Sequence, residues 1–421
     1  MRLFALGSNG SGQLALGHTE DVSLPTQCLF TNPPAPVDEI VHIAAGGNHT
    51  LLLTKQGHVY GAGANLDGRC GPPSKADGLS PGSSDENLLC FRRIVLHDEV
   101  TGEAVDTFAC VSATWEGSIL VARSNSVHPE LPSSGVNGPV DSSSGDTVFV
   151  LGSSPKGELG LALSPGQGPV VRPGSSITAF PPAGTCVAAL ASGMGHSVAV
   201  LSNGEVYGWG GARKGQLGDG LKGQKIVWTP IRIEGIPFPA RSAVCGREFT
   251  VVCGDPGRGE FVVLGDPANR WGVLGVPEAL RQGGSKGDYH GREFVDIGAS
   301  WHGIYVHAGP GDTGSATEAQ TAAPGTIVAW GRNDRGQLPP SGLPKPLKMA
   351  VGSEHVLVLL EDGAVGSFGW GEHGNCGPDT DAQGNVAGSY NVIPLPEAAL
   401  SAGARVTRLG AGCATSWIVM K

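Results

Sequence analysis

His196-Ser197-Val198-Ala199-Val200-Leu201-Ser202-Asn203-Gly204-Glu205-Val206-Tyr207-Gly208-Trp209-Gly210 is the stretch that decides the architecture. Its first six residues form a short apolar run that reads as a buried strand. Ser202-Asn203-Gly204 reads as a hairpin turn, with Asn-Gly supplying the positive φ angles that a two-residue turn needs. Glu205 to Trp209 alternates polar and apolar and returns as the partner strand. A strand pair of this size cannot bury its faces alone, so the unit needs neighbours of its own kind.

The neighbours are present. Relatives of Trp209-Gly210 occur at Leu6-Gly7, Ala62-Gly63, Leu151-Gly152, Leu264-Gly265, Trp330-Gly331 and Trp370-Gly371. Several are followed by a G-x-L-G-like turn: Gly12-Gln13-Leu14, Gly157-Glu158-Leu159-Gly160, Gly215-Gln216-Leu217-Gly218 and Gly336-Gln337-Leu338. A second motif precedes each, clearest in Ala45-Gly46-Gly47-Asn48-His49-Thr50, Ser192-Gly193-Met194-Gly195-His196 and Val351-Gly352-Ser353-Glu354-His355. Four degenerate copies read Thr114-Trp115-Glu116-Gly117, Gly246-Arg247-Glu248-Phe249, Ser300-Trp301-His302-Gly303 and Gly412-Cys413-Ala414-Thr415. Sheet-like units recurring seven times at roughly 60 residues fit an all-β radial propeller, whereas a linear solenoid would require capping units. The last segment, Thr415 to Lys421, reads as the strand before a hairpin turn and the first, Met1 to Gly7, as the strand after it. The two ends are therefore expected to pair antiparallel and close a seven-bladed ring, one domain over residues 1–421. Residues 123–146 and 307–325 break the period and are expected to be mobile surface insertions, with 72–87 a further candidate loop.

The alternation of A-x-G-x-x-H-(S/T) with (V/I)-x-x-(W/F)-G-x-N-x-x-G-Q-L-G resembles the repeat of the regulator of chromosome condensation family, over nearly the whole chain. That family forms seven-bladed propellers closed by their two ends, as the residues themselves suggest. Within it, Gly7-Ser8-Asn9-Gly10, Gln13-Leu14, Leu16-Gly17-His18, Glu20-Asp21 and Pro25 resemble the opening of the fungal alpha-tubulin suppressor, or killer-toxin-insensitivity, branch. The resemblance implies a cytoplasmic and nuclear adaptor that forms a heterodimer with a small, metal-carrying CSL-type zinc-finger protein. The pair would serve diphthamide synthesis on elongation factor two and Elongator-dependent wobble-uridine modification of tRNA, engaging those enzymes indirectly. The alternative is a guanine-nucleotide exchange factor for a Ran-like GTPase, as in the family's founding member; no inserted wedge for that task is recognisable in the sequence.

Composition agrees with a turn-rich β protein. The chain has 68 Gly and 31 Pro in 421 residues, yet 40% hydrophobic and only 16% charged residues. That is about twice the usual glycine and proline share, with enough apolar mass for a core and too little charge for a solvated coil. A net charge of −10 without a basic tail argues against direct nucleic-acid binding. No apolar run is long enough to span a bilayer. Nine scattered cysteines, none spaced C-x-x-C, read as free thiols rather than a disulfide frame or zinc site. Neither Gly208-Trp209-Gly210-Gly211 nor Gly61-Ala62-Gly63 completes a nucleotide loop. No catalytic motif is present, so a non-enzyme without cofactor or metal is expected.

The recurring His49, His196 and His355 are expected to bridge neighbouring strands or blades, and Trp209, Trp330 and Trp370 to be core, because a catalytic residue is needed once. The informative positions are the two variable residues inside each G-x-x-H, which should converge on one face. Asn48, Trp115, Glu116, Met194, Arg247, Glu248, Trp301, His302 and Glu354 are the candidate partner-binding residues there, tryptophan with charge being the composition of a binding hot spot. The competing reading is that Trp115 and Trp301 fill a channel mouth where the repeat has degenerated, since Gly117 and Gly303 stand in the histidine's place.

Overall fold

His196–Leu201 pairs antiparallel with Val206–Gly211, with Val200 opposite Val206 and His196 opposite Gly210. The connection is a three-residue loop rather than the two-residue turn expected. Gly204 N donates to the Leu201 carbonyl and Leu201 N to the Glu205 carbonyl, both at 2.9 Å. Only Gly204 takes positive φ, +83°, while Asn203 accepts from Glu205 N at 3.0 Å. A type I turn closed by one left-handed glycine satisfies the strand twist as well as an Asn-Gly pair does. Gly57 and Gly363 close the equivalent hairpins at φ +86° and +87°.

The computed structural model describes residues 1–31, 34, 38–72, 86–99, 101–123, 145–162, 170–171, 174–280, 293–309 and 325–421. Seven antiparallel sheets form the blades of a β-propeller. Named from the innermost strand outward, blade one is Val406–Ala411, Thr415–Met420, Arg2–Gly7 and Val22–Gln27. Blade two runs Ile40–Ala45, His49–Thr54, Val59–Ala64 and Asn87–Arg93. Blade three is Cys110–Ala113, Gly117–Ala122, Thr147–Ser153 and Val170–Val171; blade four is Val187–Ser192, His196–Leu201, Val206–Gly211 and Ile226–Arg232. Blades five (Ser242–Cys245, Thr250–Cys253, Phe261–Leu264) and six (Phe294–Ala299, Gly303–Ala308, Ile327–Gly331) have three strands among the described residues. Blade seven is Pro346–Val351, His355–Leu360, Val365–Trp370 and Asn385–Ile393. The ring closes within blade one as expected, Arg2 opposite Met420 and Gly7 opposite Thr415.

Most of the two stretches expected to be insertions lies outside the described residues, as do 73–85 of the third, but their edges are ordered structure. His307 and Ala308 complete a blade-six strand, His307 opposite Ile327, and Asp146 is buried with its carboxylate accepting from Val187 N at 2.7 Å.

Two glycine columns are required by close approach. One lies opposite the histidine position and includes Gly152, Gly210 and Gly369, at φ +94°, +93° and +108°. A Cβ there would sit 2.5 to 2.7 Å from the carbonyl oxygen of Glu116, Gly195 or Glu354. The other is the first glycine of G-x-x-H, on which the histidine ring lies: a Cβ on Gly193 would meet His196 Cε1 at 2.5 Å. The first column corrects the alignment of blade seven. His355 faces Gly369, so Phe368-Gly369, not Trp370-Gly371, is the counterpart of Trp209-Gly210. Phe368 is fully buried. Trp370 falls outside the core, half-buried, with its Nε1 donating to Glu372 at 3.1 Å.

The histidines join blades. His49 Nε2 meets Ser118 Oγ of blade three at 2.9 Å, His196 Nε2 meets Thr250 Oγ1 of blade five at 3.0 Å, and His355 Nε2 meets Ser416 Oγ of blade one at 2.8 Å. Each hydroxyl donates its own proton to a turn carbonyl, of Arg69, Gln216 and Asn375 respectively. The imidazole Nε2 must therefore be the donor. Equivalent carbonyls of Gln13, Glu158, Val273 and Gln337 accept from Thr50, Ser197, Trp330 and Tyr305. All seven turns are thus tied into the ring.

Burial holds these imidazoles neutral, pushing His49 down to about 3 and His196 and His355 to about 4. An unfolded histidine titrates near 6.5, so below that pH the unfolded chain binds more protons. Stability then falls as pH drops from about 6.5 toward about 4, by up to about 1.4 kcal/mol per pH unit per histidine. Urea midpoints at pH 7 and pH 5 should separate less for His196→Gln than for the wild type; an equal separation would remove this histidine from the linkage.

Candidate functional site

The G-x-x-H loops join each innermost strand to the next and gather around one mouth of the central channel. Backbone bonds stitch their tips together: Gly47 N to the Trp115 carbonyl at 3.1 Å, and Trp115 N to that of Met194 at 3.3 Å. On the other side Arg247 N reaches Trp301 at 3.1 Å, and Trp301 N and Ser353 N reach Ser353 and Gly412 at 2.9 Å. They enclose a cavity of about 180 Å³ at the mouth. Below it the channel continues as a second cavity of about 300 Å³. Small wall residues such as Ala44, Ala113, Ala243 and Ala299 leave that axis open.

Trp115 and Trp301 come from blades three and six, across the channel from one another, and their rings meet with centroids 5.7 Å apart and planes inclined by 46°. Both are half-buried. Gly47 lies beneath Trp115, where a Cβ would come within 2.8 Å of the indole. The two tryptophans therefore meet over the mouth and remain partly exposed.

A charged sector adjoins them on blades five to seven. The Arg247 guanidinium lies 5.6 Å from the Trp301 ring centre, and those of Arg270 and Arg332 lie 4.5 and 5.2 Å from that of Trp271. Such stacking is worth about 0.5–1 kcal/mol at an exposed site. His302 stands 6.0 Å from Trp271. Burial, reinforced by Arg247, Arg332 and Arg270, pushes His302 down to about 4, so it is neutral at pH 7. Arg332 pairs with Asp334 at 2.6 Å and with Glu354, which Arg335 also approaches at 3.6 Å. Among the described residues no three His, Cys, Asp or Glu side chains gather as metal ligands.

The glycine columns, the histidine bridges and the closed seven-blade ring describe one repeat. Models of the regulator of chromosome condensation (RCC1) repeat match residues 2–53 and 203–253, and a second model of that repeat matches 40–69 and 187–216. The chain resembles RCC1-repeat propellers, with the repeat itself matched in blades one, two, four and five. It is 28% identical over 422 residues to an RCC1 repeat-containing protein of Schizosaccharomyces pombe, covering 100% of this chain and 99% of that one. It is 26% identical to the mouse secretion-regulating guanine nucleotide exchange factor, covering 94% of this chain and 79% of the other. Solved structures of Prp20p from Saccharomyces cerevisiae and of human WBSCR16 share the fold, each with a TM-score of 0.66. Their identities are 16% and 17%; Prp20p covers 99% of this chain and 90% of its own, WBSCR16 100% of both.

In this RCC1-repeat frame the nine candidate residues separate. Trp115, Met194, Arg247, Trp301 and His302 stand at or beside the mouth. Asn48 and Glu248 are exposed at loop tips, and Glu116 is half-buried. Glu354 is not a free surface charge: it is buried, its carboxyl held up by desolvation, and it is engaged by Arg332 and Arg335. Arg270, Trp271, Arg332 and Arg335 belong to the face but lie outside G-x-x-H, in the turns after the third strands of blades five and six. The signal was available in the variable positions of the other RCC1-repeat segment, the one that runs past the glycine into the G-x-L-G turn.

Proposed function

We propose that the protein is a non-enzymatic adaptor whose loop face holds a small CSL-type zinc-finger protein as a heterodimer. The pair supports diphthamide synthesis and Elongator-dependent tRNA wobble-uridine modification, in cytoplasm and nucleus. Kinship with RCC1-repeat proteins supports a protein-interaction or exchange-factor role in general. The observation that favours binding at this face is the stitched ring of loop tips, with Trp115 and Trp301 paired at its centre and arginines stacked around them. Aromatic and arginine anchors on a rigid base are what hot spots require. The N-terminal residues quoted for the fungal branch organise the first turn: Asn9 N donates to Asp21 at 2.7 Å, and Asp21 meets His373 Nδ1 at 2.8 Å.

Mass spectrometry of complexes captured by the tagged chain should recover a small zinc-finger protein; recovery of a small GTPase alone would reject the adaptor. Trp115→Ala with Trp301→Ala should weaken the captured complex by about 2 kcal/mol or more, read by titration calorimetry. Unchanged affinity would move the interface to the rim, for example to the Glu20-Asp21 loop. The second reading, guanine-nucleotide exchange on a Ran-like GTPase, is favoured by the similarity to the mouse secretion-regulating guanine nucleotide exchange factor. Stimulated release of labelled nucleotide from such a GTPase would establish it.

A further inference from the structure

The whole chain carries a net charge of −10, yet Arg247, Arg270, Arg332 and Arg335 converge on the sector formed by blades five, six and seven. Arg332 and Arg335 are neutralised locally by Asp334 and Glu354. Arg247 and Arg270 are exposed and make no ion pair among the described residues. Each instead rests on an indole, of Trp301 and Trp271 respectively. Stacking fixes a guanidinium plane while leaving its N–H edge free, and that edge matches a carboxylate bidentately. The rotamer entropy that binding would otherwise cost is already spent in the free protein. His302, neutral and 6.0 Å from the Trp271 ring, adds a polar contact without adding charge.

We propose that Arg247 and Arg270, held on Trp301 and Trp271 beside His302, form an anchoring site for an acidic polypeptide segment of a protein partner. This deepens the reading of the loop face as a protein-binding surface and rests on it. Charge complementarity selects an acidic occupant, and the surroundings select a short polypeptide over a nucleic acid. Glu116 and Glu248 stand on loop tips of the same face, so an extended polyphosphate would run across carboxylates. Arg270 and Arg332 both lie over the Trp271 ring, which removes the open aromatic platform on which bases stack. Two or three carboxylates on a flexible segment meet neither obstacle.

The test is fluorescence anisotropy with a short labelled oligo-glutamate peptide, and in parallel a labelled oligo-dT strand, on the full-length chain at low salt. The peptide should bind, and weaken with added salt. Arg247→Ala with Arg270→Ala should weaken it roughly tenfold or more, as expected for two charge-assisted contacts. Arg232→Ala with Arg241→Ala, which removes the same charge elsewhere on the surface, should leave binding within a factor of about two because exposed charges far apart are screened. Absence of peptide binding, equal binding by the Arg247/Arg270 variant, or tighter binding of oligo-dT would each overturn the proposal. The two readings fail separately. Capture of a zinc-finger protein without peptide binding sinks the acidic anchor and leaves the adaptor. Arginine-dependent peptide binding without zinc-finger capture does the reverse.

Discussion

Deleting Thr415–Lys421 is expected to abolish cooperative folding of the whole propeller rather than to trim one end. Thr415–Met420 is not an edge strand; it lies between Val406–Ala411 and Arg2–Gly7. All six of its residues are buried. Its alternate side chains feed two different cores: Trp417 and Val419 pack with Leu3, Leu14 and Leu52, while Ile418 and Met420 pack with Phe4, Leu6 and Leu357. Each such apolar side chain is worth about 1.5–3 kcal/mol when fully buried, against a usual net stability of about 5–15 kcal/mol for a domain. The deletion also leaves two sheet edges unpaired. It removes the Ser416 hydroxyl that accepts from His355 and donates to the Asn375 carbonyl, so the link between blades seven and one is lost with it. Thermal unfolding followed by circular dichroism should lose its sigmoidal transition, and the chain should elute expanded or aggregated. A sharp transition near the wild-type midpoint would show that the ring does not depend on this closure.

How far the sequence carried depends on whether a feature is local or needs strands to be placed. The hairpin at 196–211 and the histidine bridges were legible because each is written in one short segment and repeated, and the closure because the two ends supply the two halves of that same repeated hairpin. The turn type at Gly204 was misread because Asn-Gly serves two loop lengths, and hydrogen bonding chooses between them. Blade seven was misaligned because Gly366-Ser367-Phe368-Gly369-Trp370-Gly371 offers two aromatic–glycine pairs; only the pairing of His355 with Gly369 decides. Glu354 looked like a surface charge because its partners, Arg332 and Arg335, arrive from the neighbouring blade. The arginine sector is split in the sequence: Arg247 and Arg270 belong to different motifs of blade five, and the antiparallel pairing of Thr250–Cys253 with Phe261–Leu264 brings both to the same end of that blade.

Trp209→Ala should destabilise the protein by about 3–5 kcal/mol, the usual cost of emptying a large buried aromatic site, whereas Trp370→Ala should cost less than about 1 kcal/mol, the range of a surface change. Both residues stand before a glycine, and the sequence treats them alike. Trp209 is fully buried, edge-on to Phe180 at 5.7 Å, with Nε1 donating to the Glu158 carbonyl at 2.9 Å. That carbonyl also accepts from Ser197 at 3.0 Å, so it keeps one partner in the variant and the loss is mainly the cavity. Trp370 contacts two partly exposed side chains instead, Arg335 at 5.1 Å and His373 at 5.3 Å, and its removal opens no buried cavity. Phe368, fully buried beside the Gly369 that faces His355, takes the Trp209 role in blade seven, so Phe368→Ala should resemble Trp209→Ala. Urea midpoints of the three variants decide the alignment. If Trp370→Ala proves as costly as Trp209→Ala while Phe368→Ala is mild, blade seven is threaded two residues further along, and Glu354 would no longer sit where Arg332 and Arg335 can bury it.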